Sequence, residues 1–285
     1  MLSVVVVNWN TKHLLRACLS SLRKFPASEG MQVIVVDNAS SDQSAEMVSE
    51  EFPELTLIAS SENTGYAKGN NIGFERAEGE FILTLNPDTE LMDASLDAAL
   101  QVMKENPTVG CLGVKQIGTD SKVQRSVRGF PSAIGILGDI LKITKGKLGS
   151  YRLALFDYES QQPAPQPMGT FLLFRRKALE AVGDAKHPFD EAFPIFFNEV
   201  DLLYRLSQAG WGCLYTPKAR ILHHGGESTR QVRKNMIWES HRSLARYLRK
   251  HAATGTARLQ AVLLTPVLYA AAFVRAKGYH AGFRP

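Results

Sequence analysis

Cysteine is scarce in this chain, and what there is does not cluster. Cys18, Cys111 and Cys213 are an odd three among 285 residues and lie far apart in the sequence. That excludes a disulfide framework and a zinc knuckle. Each has apolar neighbours and is expected as a buried, reduced core thiol. Long apolar runs are missing too. Near the end, Leu259 to Val274 is broken by Gln260, Thr265 and Pro266 and falls short of the roughly 18–20 residues that span a bilayer. No charged leader or cleavage site precedes the apolar run Leu2 to Val7, so the chain is expected in the cytoplasm. There is no Walker loop and no G-x-G-x-x-G fingerprint. There is also no internal repeat, no nucleic-acid reader motif and no aromatic stacking platform, so nucleic acid is not an expected partner.

Acidic residues are nearly absent from one region. From Arg230 onward there are 11 Lys/Arg and one acid, Glu239, a local charge of +10 that leaves −5 for the rest of a chain whose net charge is +5. A basic tail on a mildly acidic body points to an anionic surface as the tail's partner. The composition is otherwise ordinary for a folded protein, 45% hydrophobic and 21% charged, and the length suits one large α/β domain with or without an appendage.

Over the first 117 residues, strand and helix patterns alternate. Val4 to Val7 and Val33 to Val36 are β-branched runs of the kind buried on both faces of a parallel sheet. Leu55 to Ile58, Phe81 to Leu85 and Val109 to Val114 read as further strands. Leu14, Leu15, Cys18, Leu19 and Leu22 recur at helical spacing. Further helices are expected after Ser40-Ser41-Asp42, over about Asn70 to Ala77, and after Asp93. This alternation predicts an α/β fold with a mostly parallel, Rossmann-like sheet flanked by helices, whose ligands bind at the carboxyl ends of strands. Residues 118–167 are irregular. Lys142 to Gly149 and the three-proline segment Gln161 to Pro167 are expected as mobile loops, and Lys122 to Val127 as one arm of a short hairpin. A strand at Phe171 to Phe174, a helix at Val200 to Ala209, a strand at Gly212 to Tyr215 and a long helix at Gln231 to Lys250 follow.

Four clusters fall at strand ends or in adjacent loops. Asn8-Trp9-Asn10 and Asp37-Asn38 end the first two strands, where Asp37 is placed to accept hydrogen bonds from a bound nucleotide or to cap its own turn. Asn63 to Gly73 holds three glycines and three asparagines, Gly65 and Asn70 among them. Such a segment lets backbone approach a ligand and presents N–H groups to a diphosphate at a helix start, and it is equally good turn chemistry. Asn86-Pro87-Asp88 follows the fourth strand; its carboxylate suits a hard divalent cation bridging donor phosphates, and its sequence also suits a β-turn. Glu199 and Asp201 lie two apart before a helix, so that one can act on substrate while the other positions it. Acids there are also favoured by the helix dipole. Beyond them, His223 or His224 could bring a neutral imidazole to the same cation.

The order of Val-Val-Asn-Trp-Asn, Val-Asp-Asn-Ala-Ser-Ser-Asp, Asn-x-Gly-x-x-x-Gly-Asn-Asn-x-Gly, Leu-Asn-Pro-Asp, Gly-Thr-Phe-Leu-Leu-Phe-Arg-Arg, Phe-Asp-Glu, Asn-Glu-Val-Asp-Leu and His-x-Gly-Gly-x-Ser resembles family 2 inverting glycosyltransferases, the rhamnosyltransferase-like branch above all. The resemblance covers about residues 1–250. It implies a GT-A domain over 1–229, with a nucleotide-binding half to about 117, an acceptor half over about 118–229, and a basic helical extension over 230–285. It also implies Mg²⁺ or Mn²⁺, a dTDP- or UDP-sugar donor, and a saccharide or polyprenyl-linked acceptor in cell-surface polysaccharide synthesis. Asp37 matches the base-recognising acid, Asp88 the metal-binding acid and Glu199 the catalytic base, with Asp201 its supporting acid and His223 or His224 near the diphosphate. Asn8, Asn10, Asn63, Gly65, Asn70 and Asn86 fall to the donor site. Two departures stand out: Asn86 replaces the first acid of a common Asp-x-Asp, and Asn198-Glu199 stands where Glu-Asp is common. For the extension, two expectations stay open: peripheral contact with the inner face of the cytoplasmic membrane, or packing on the domain or on a second subunit. A non-catalytic nucleotide-sugar-binding protein and a nucleotidyltransferase are the rival readings.

Overall fold

The computed structural model describes residues 1–140, 151–225 and 233–278. Its centre is a sheet whose path runs β3 (Thr56–Ala59), β2 (Met31–Asp37), β1 (Leu2–Asn8), β4 (Phe81–Leu85), β10 (Phe171–Arg175), β6 (Val109–Ile117), β11 (Gly212–His223) and β5 (Thr89–Leu91). β1, β2, β3 and β4 are mutually parallel, and β11 is parallel to β6. β10 is antiparallel to both β4 and β6, so β6 and β11 keep the direction of β4. The sheet is thus mostly parallel, with β10 reversed in its middle and β5 reversed at its edge.

The expected strand runs lie where valine and isoleucine predict them. Along β1, Val4 and Val6 enter one apolar layer with α1 (Lys12–Lys24), α2 (Ser44–Glu51) and α4 (Ser95–Glu105). Val5 and Val7 enter the opposite layer with α3 (Tyr66–Arg76), α6 (Arg176–Ala181) and α7 (Asn198–Gln208). A strand covered on both sides has no polar face, which is why its sequence shows no alternation.

Several expectations change. The three-proline segment is not simply loop: β8 (Gln162–Pro163) pairs with β11, and β9 (Gln166–Pro167) pairs with β7 (Val127–Arg128). These are short edge pairings, the places in a sheet that tolerate a missing N–H. Lys142 to Gly149 lies outside the described residues. α5 (Ala133–Ile140) and α6 were not expected at all. β11 runs on past Tyr215 to His223, with a register break between Thr216 and Arg220 that accommodates Pro217. Cys111 and Cys213, distant in sequence, are register partners across β6 and β11; all three cysteines are free, and Cys213 is only half-buried.

The penultimate helix (Arg233–Lys250) and the last helix (Gly255–Ala276) pack on the body rather than trailing from it. Leu244, Tyr247 and Leu248 of the first, and Leu264 and Leu268 of the second, share an apolar cluster with Phe193, Phe197 and Val200. The last helix is longer than its apolar stretch. Thr254 caps its start by accepting from Ala257 N at 3.1 Å, and Pro266 is absorbed within it. Its 22 residues include an 18-residue window of mean hydropathy 1.6, so it is long and apolar enough to cross a membrane by length and composition alone. That corrects the expectation that this segment is too short.

Candidate active site

The carboxyl ends of β1, β2 and β4 lie side by side, as parallel pairing requires. Asn8 and Asp37 are register partners, and Asn8 Nδ2 donates to Asp37 Oδ1 at 3.0 Å. The other Asp37 oxygen accepts from Ser40 N at 2.9 Å, so Asp37 does cap its own turn. Ser40 Oγ accepts from Asn8 Nδ2 at 3.1 Å and from Asn10 N at 2.9 Å. Asn10 adopts the left-handed conformation (φ 52°), and its side chain accepts from Ser41 N at 2.7 Å. These contacts lock the two strand ends into one rigid shelf.

The Gly/Asn segment divides in two. Asn63 Oδ1 accepts from Gly65 N and from Asn38 Nδ2, each at 3.0 Å, holding the loop against the shelf. At Gly65 (φ +86°) an added Cβ would lie 2.8 Å from Pro194 O, so glycine is required there both by conformation and by space. From Tyr66 the chain is already helical. A Cβ at Gly69 would meet Val7 at 2.8 Å and one at Gly73 would meet Val5 at 2.3 Å. These two glycines let α3 lie close on β1; they do not admit a ligand, contrary to the expectation. Asn70 is fully buried with Nδ2 on Tyr66 O at 2.8 Å, and Asn71 ties α3 to Phe189 and Glu191.

The turn after β4 is joined to the start of α7 through a residue that the sequence did not single out. Tyr66 Oη donates to Asn86 Oδ1 at 3.1 Å and lies 3.4 Å from Gly169 O, and Asn86 N donates to Thr170 O at 3.0 Å. Gly169 in turn lies against Glu199: a Cβ there would be 3.5 Å from Glu199 Cγ. Asn86, Tyr66, Gly169 and Glu199 are therefore joined by one chain of contacts. Glu199 stands in the first turn of α7 rather than before it, after Phe197 in the left-handed conformation (φ 67°). It keeps some exposed surface, yet burial pushes its carboxyl above the ordinary glutamate range against the opposing pull of Arg128. Tyr66 is raised as well, by burial and by the Glu199 charge.

Asp201, two residues on, points elsewhere. It is fully buried and receives Arg205 Nε at 2.8 Å, Lys250 Nζ at 2.6 Å and His251 Nε2 at 2.8 Å. Burial by itself would raise its carboxyl; these three partners outweigh burial and hold it at about 2. Asp201 thus fastens α7, and with it Glu199, to the penultimate helix.

In the same turn as Asn86, Asp88 is buried, and His223 Nε2 lies 3.5 Å from its Oδ2. The pairing of β5 with β11 sets Thr89 opposite His223 and so brings the two side chains together. Gln124, which no sequence signal marked, fixes the imidazole through Nδ1 at 2.7 Å and donates to His223 O at 3.1 Å. His224 turns to Glu90, at 2.7 Å, and only its backbone N reaches Asp88, bonding to its carbonyl. His223, not His224, is therefore the imidazole beside Asp88. The remaining motif residues, Gly226 to Ser228, lie outside the described residues. Among the described residues no three His, Cys, Asp or Glu side chains cluster as a complete metal site. One carboxylate and one imidazole whose donor atoms face each other fit a partial site, completed by oxygens from a substrate.

The profile of Glycosyl transferase family 2 matches residues 3–183. The chain belongs to that family. This family 2 glycosyltransferase is 28% identical over 259 residues to an N-acetylglucosaminyl-diphospho-decaprenol L-rhamnosyltransferase of Mycobacterium tuberculosis, covering 85% of this chain and 82% of that one. It is 25% identical over 234 residues to the O-antigen biosynthesis protein RfbC of Myxococcus xanthus, 80% of this chain but 18% of that protein. Among solved structures, the mannosyltransferase PcManGT of Pyrobaculum calidifontis in complex with GDP-Man and Mn²⁺ superposes with a TM-score of 0.61 at 18% identity, over 100% of this chain and 76% of that one. S. aureus TarS 1-349 gives 0.57 at 18% identity, over 97% and 87%. The fold is accordingly that of GT-A glycosyltransferases.

Proposed function

We propose that this enzyme moves rhamnose from dTDP-rhamnose to a polyprenyl-linked saccharide, with inversion, in the making of a cell-surface polysaccharide. The observation that carries this reading is the chain of contacts by which a partly buried Glu199, with raised proton affinity, is joined through Gly169 and Tyr66 to the Asn86-Pro87-Asp88 turn. The sugar and acceptor follow the similarity to the mycobacterial rhamnosyltransferase.

Glu199 takes the proton from an acceptor hydroxyl. That oxygen bonds to the anomeric carbon as the bond to the donor's diphosphate oxygen breaks on the opposite face, and the pair of electrons leaves with the diphosphate. Asn8, Asn10, Asp37, Asn63 and Gly65 form the shelf and loop for the nucleotide, and Asn86 and Tyr66 hold the turn beneath the sugar. Asp88 and His223 are the residues that would hold Mg²⁺ or Mn²⁺. Such a cation supplies positive charge against the leaving diphosphate. With a single carboxylate in the turn, Asp88→Ala is expected to abolish the metal-dependent part of dTDP binding. Calorimetry with and without Mn²⁺ checks this, and a metal response unchanged from wild type would remove Asp88 from the site.

The last helix supports a place at the inner face of the cytoplasmic membrane. Ala261, Leu264, Leu268 and Ala272 pack inward, while Leu259, Val262, Leu263, Val267 and Phe273 are at least half exposed, between Arg258 at one end and Arg275 and Lys277 at the other. Apolar side chains flanked by cations suit an anionic bilayer surface. Leu259→Glu with Leu263→Glu is expected to weaken flotation with anionic vesicles by roughly tenfold or more. Unchanged flotation would refute the anchor, and a monomer replacing a dimer in sedimentation would assign the face to a second subunit.

A further inference from the structure

Arg128 is a partly buried cation that the catalytic scheme does not use. It sits on β7, where pairing with β9 sets it opposite Gln166, three residues before Gly169, the residue packed on Glu199. Its guanidinium Nη1 donates to Tyr151 Oη at 2.9 Å, a neutral partner. Among the described residues no carboxylate lies within ion-pair distance of it. Two other cations are satisfied differently: Arg205 pairs with Asp201, and Lys250 with both Asp190 and Asp201. A half-buried guanidinium left with one phenol retains donors for an anion. Arg128 is also close enough for its charge to favour ionised Glu199, and Glu199's charge in turn raises buried Tyr151. Arg128 and Tyr151 thus lie in the neighbourhood of Glu199, tied to it through the β7–β9 pairing and Gly169.

Two residues along the chain, Phe130 stacks edge-on against Tyr204 with ring centroids 5.2 Å apart. There it enters the wall of a cavity of about 240 Å³ between the start of α5 and the last two helices. Ile134, Tyr247, Leu248 and Ala261 make that wall mainly apolar. Ile134 and Leu137 of α5 are strongly exposed and continue towards the last helix, whose outer side chains are the exposed ones. The guanidinium thus stands two residues from the wall of an apolar cavity, with exposed apolar side chains of α5 beside it.

We propose that Arg128, oriented by Tyr151, binds the phosphate or diphosphate that joins the acceptor sugar to its lipid, while the cavity under α5 takes the first part of the apolar chain. This rests on the reading of Glu199 as the base for a lipid-linked acceptor. It adds the subsite that would set such an acceptor's hydroxyl at the carboxylate and would prefer a phosphate-linked lipid to a free saccharide. A guanidinium can hold two phosphate oxygens at once, which fixes direction as well as position.

The same charge could serve the donor's diphosphate, so the test fills that site first. With the full chain saturated by dTDP and Mn²⁺, binding of farnesyl diphosphate and of farnesol is measured by calorimetry. Wild type is expected to prefer the diphosphate. Arg128→Gln is expected to bind it about tenfold more weakly or worse, to lose most of the preference over farnesol, and to keep its affinity for dTDP. Should Arg128→Gln not fold, Arg128→Lys, which keeps the charge but not the fork, is expected to show the same change in smaller measure. Farnesyl diphosphate binding equal to wild type, or loss of dTDP affinity in place of it, would overturn the proposal. A wrong reading of the donor site would show instead as absent dTDP binding in wild type.

Discussion

Glu199→Gln is expected to lower the rate of sugar transfer by roughly 10²- to 10⁴-fold, the usual worth of a positioned general base, while donor binding stays nearly intact. Glutamine keeps the shape and the packing on Gly169 but cannot accept a proton. The pH profile should show the same group. Burial raises the Glu199 carboxyl against the pull of Arg128, and the base must be ionised to act. Activity should therefore fall on the acid side at a pH above the ordinary glutamate range, and Arg128→Gln should move that limb further up. The sign for stability is opposite. A carboxyl raised in the folded state contributes stability that is complete below its unfolded value and is lost as the pH rises through the folded one. At neutral pH ionised Glu199 is thus a cost, and Glu199→Gln should melt no lower than wild type. An inactive variant that also melts well below wild type would point to a structural role instead.

Asp201→Ala is expected to act through stability. It removes the carboxylate that Arg205, Lys250 and His251 share and leaves their donors facing a buried void. Breaking such a cluster from one side costs about 3–5 kcal/mol; Lys250 is 34% exposed and can move to water, which favours the lower figure. Because Asp201 is held at about 2 against an ordinary 3.8, its contribution is present above the unfolded value and is lost as the pH falls through the folded one. That interval is worth roughly 2 kcal/mol. Denaturant midpoints for wild type and Asp201→Ala should differ most near neutral pH, and the gap should narrow in strong acid. An equal gap at both ends would mean that packing, not charge, holds α7 to the penultimate helix.

Much of this was legible in the sequence, for reasons that can be named. Val4 to Val7 and Val33 to Val36 could only be strands covered on both faces, and once these are adjacent and parallel, Asn8 must meet Asp37. The turn at Asp88 and the acid at Glu199 were legible as candidates, but not the link between them, because β10 enters the sheet reversed and brings Gly169 between Tyr66 and Glu199. Tyr66 stood inside a segment read as loop. A glycine that admits a ligand and a glycine that lets a helix approach a strand look alike in sequence, and Gly69 and Gly73 are of the second kind. Pro217 concealed the continuation of β11, and with it the reason why His223 rather than His224 faces Asp88. Gln124, Arg128 and Tyr151 lie in the irregular middle, where no period marks a buried face.

The central claim is transfer of a sugar from a nucleotide diphosphate to an acceptor hydroxyl at Glu199. It is tested most directly by incubating the full chain with dTDP-rhamnose, Mn²⁺ and a short prenyl-diphospho-N-acetylglucosamine, and following both substrates by mass spectrometry. The account predicts one dTDP released for each rhamnose gained by the lipid, with neither change in Glu199→Gln. Transfer undiminished in Glu199→Gln, or failure of any nucleotide sugar to pass its sugar to an acceptor in the wild type, would contradict it.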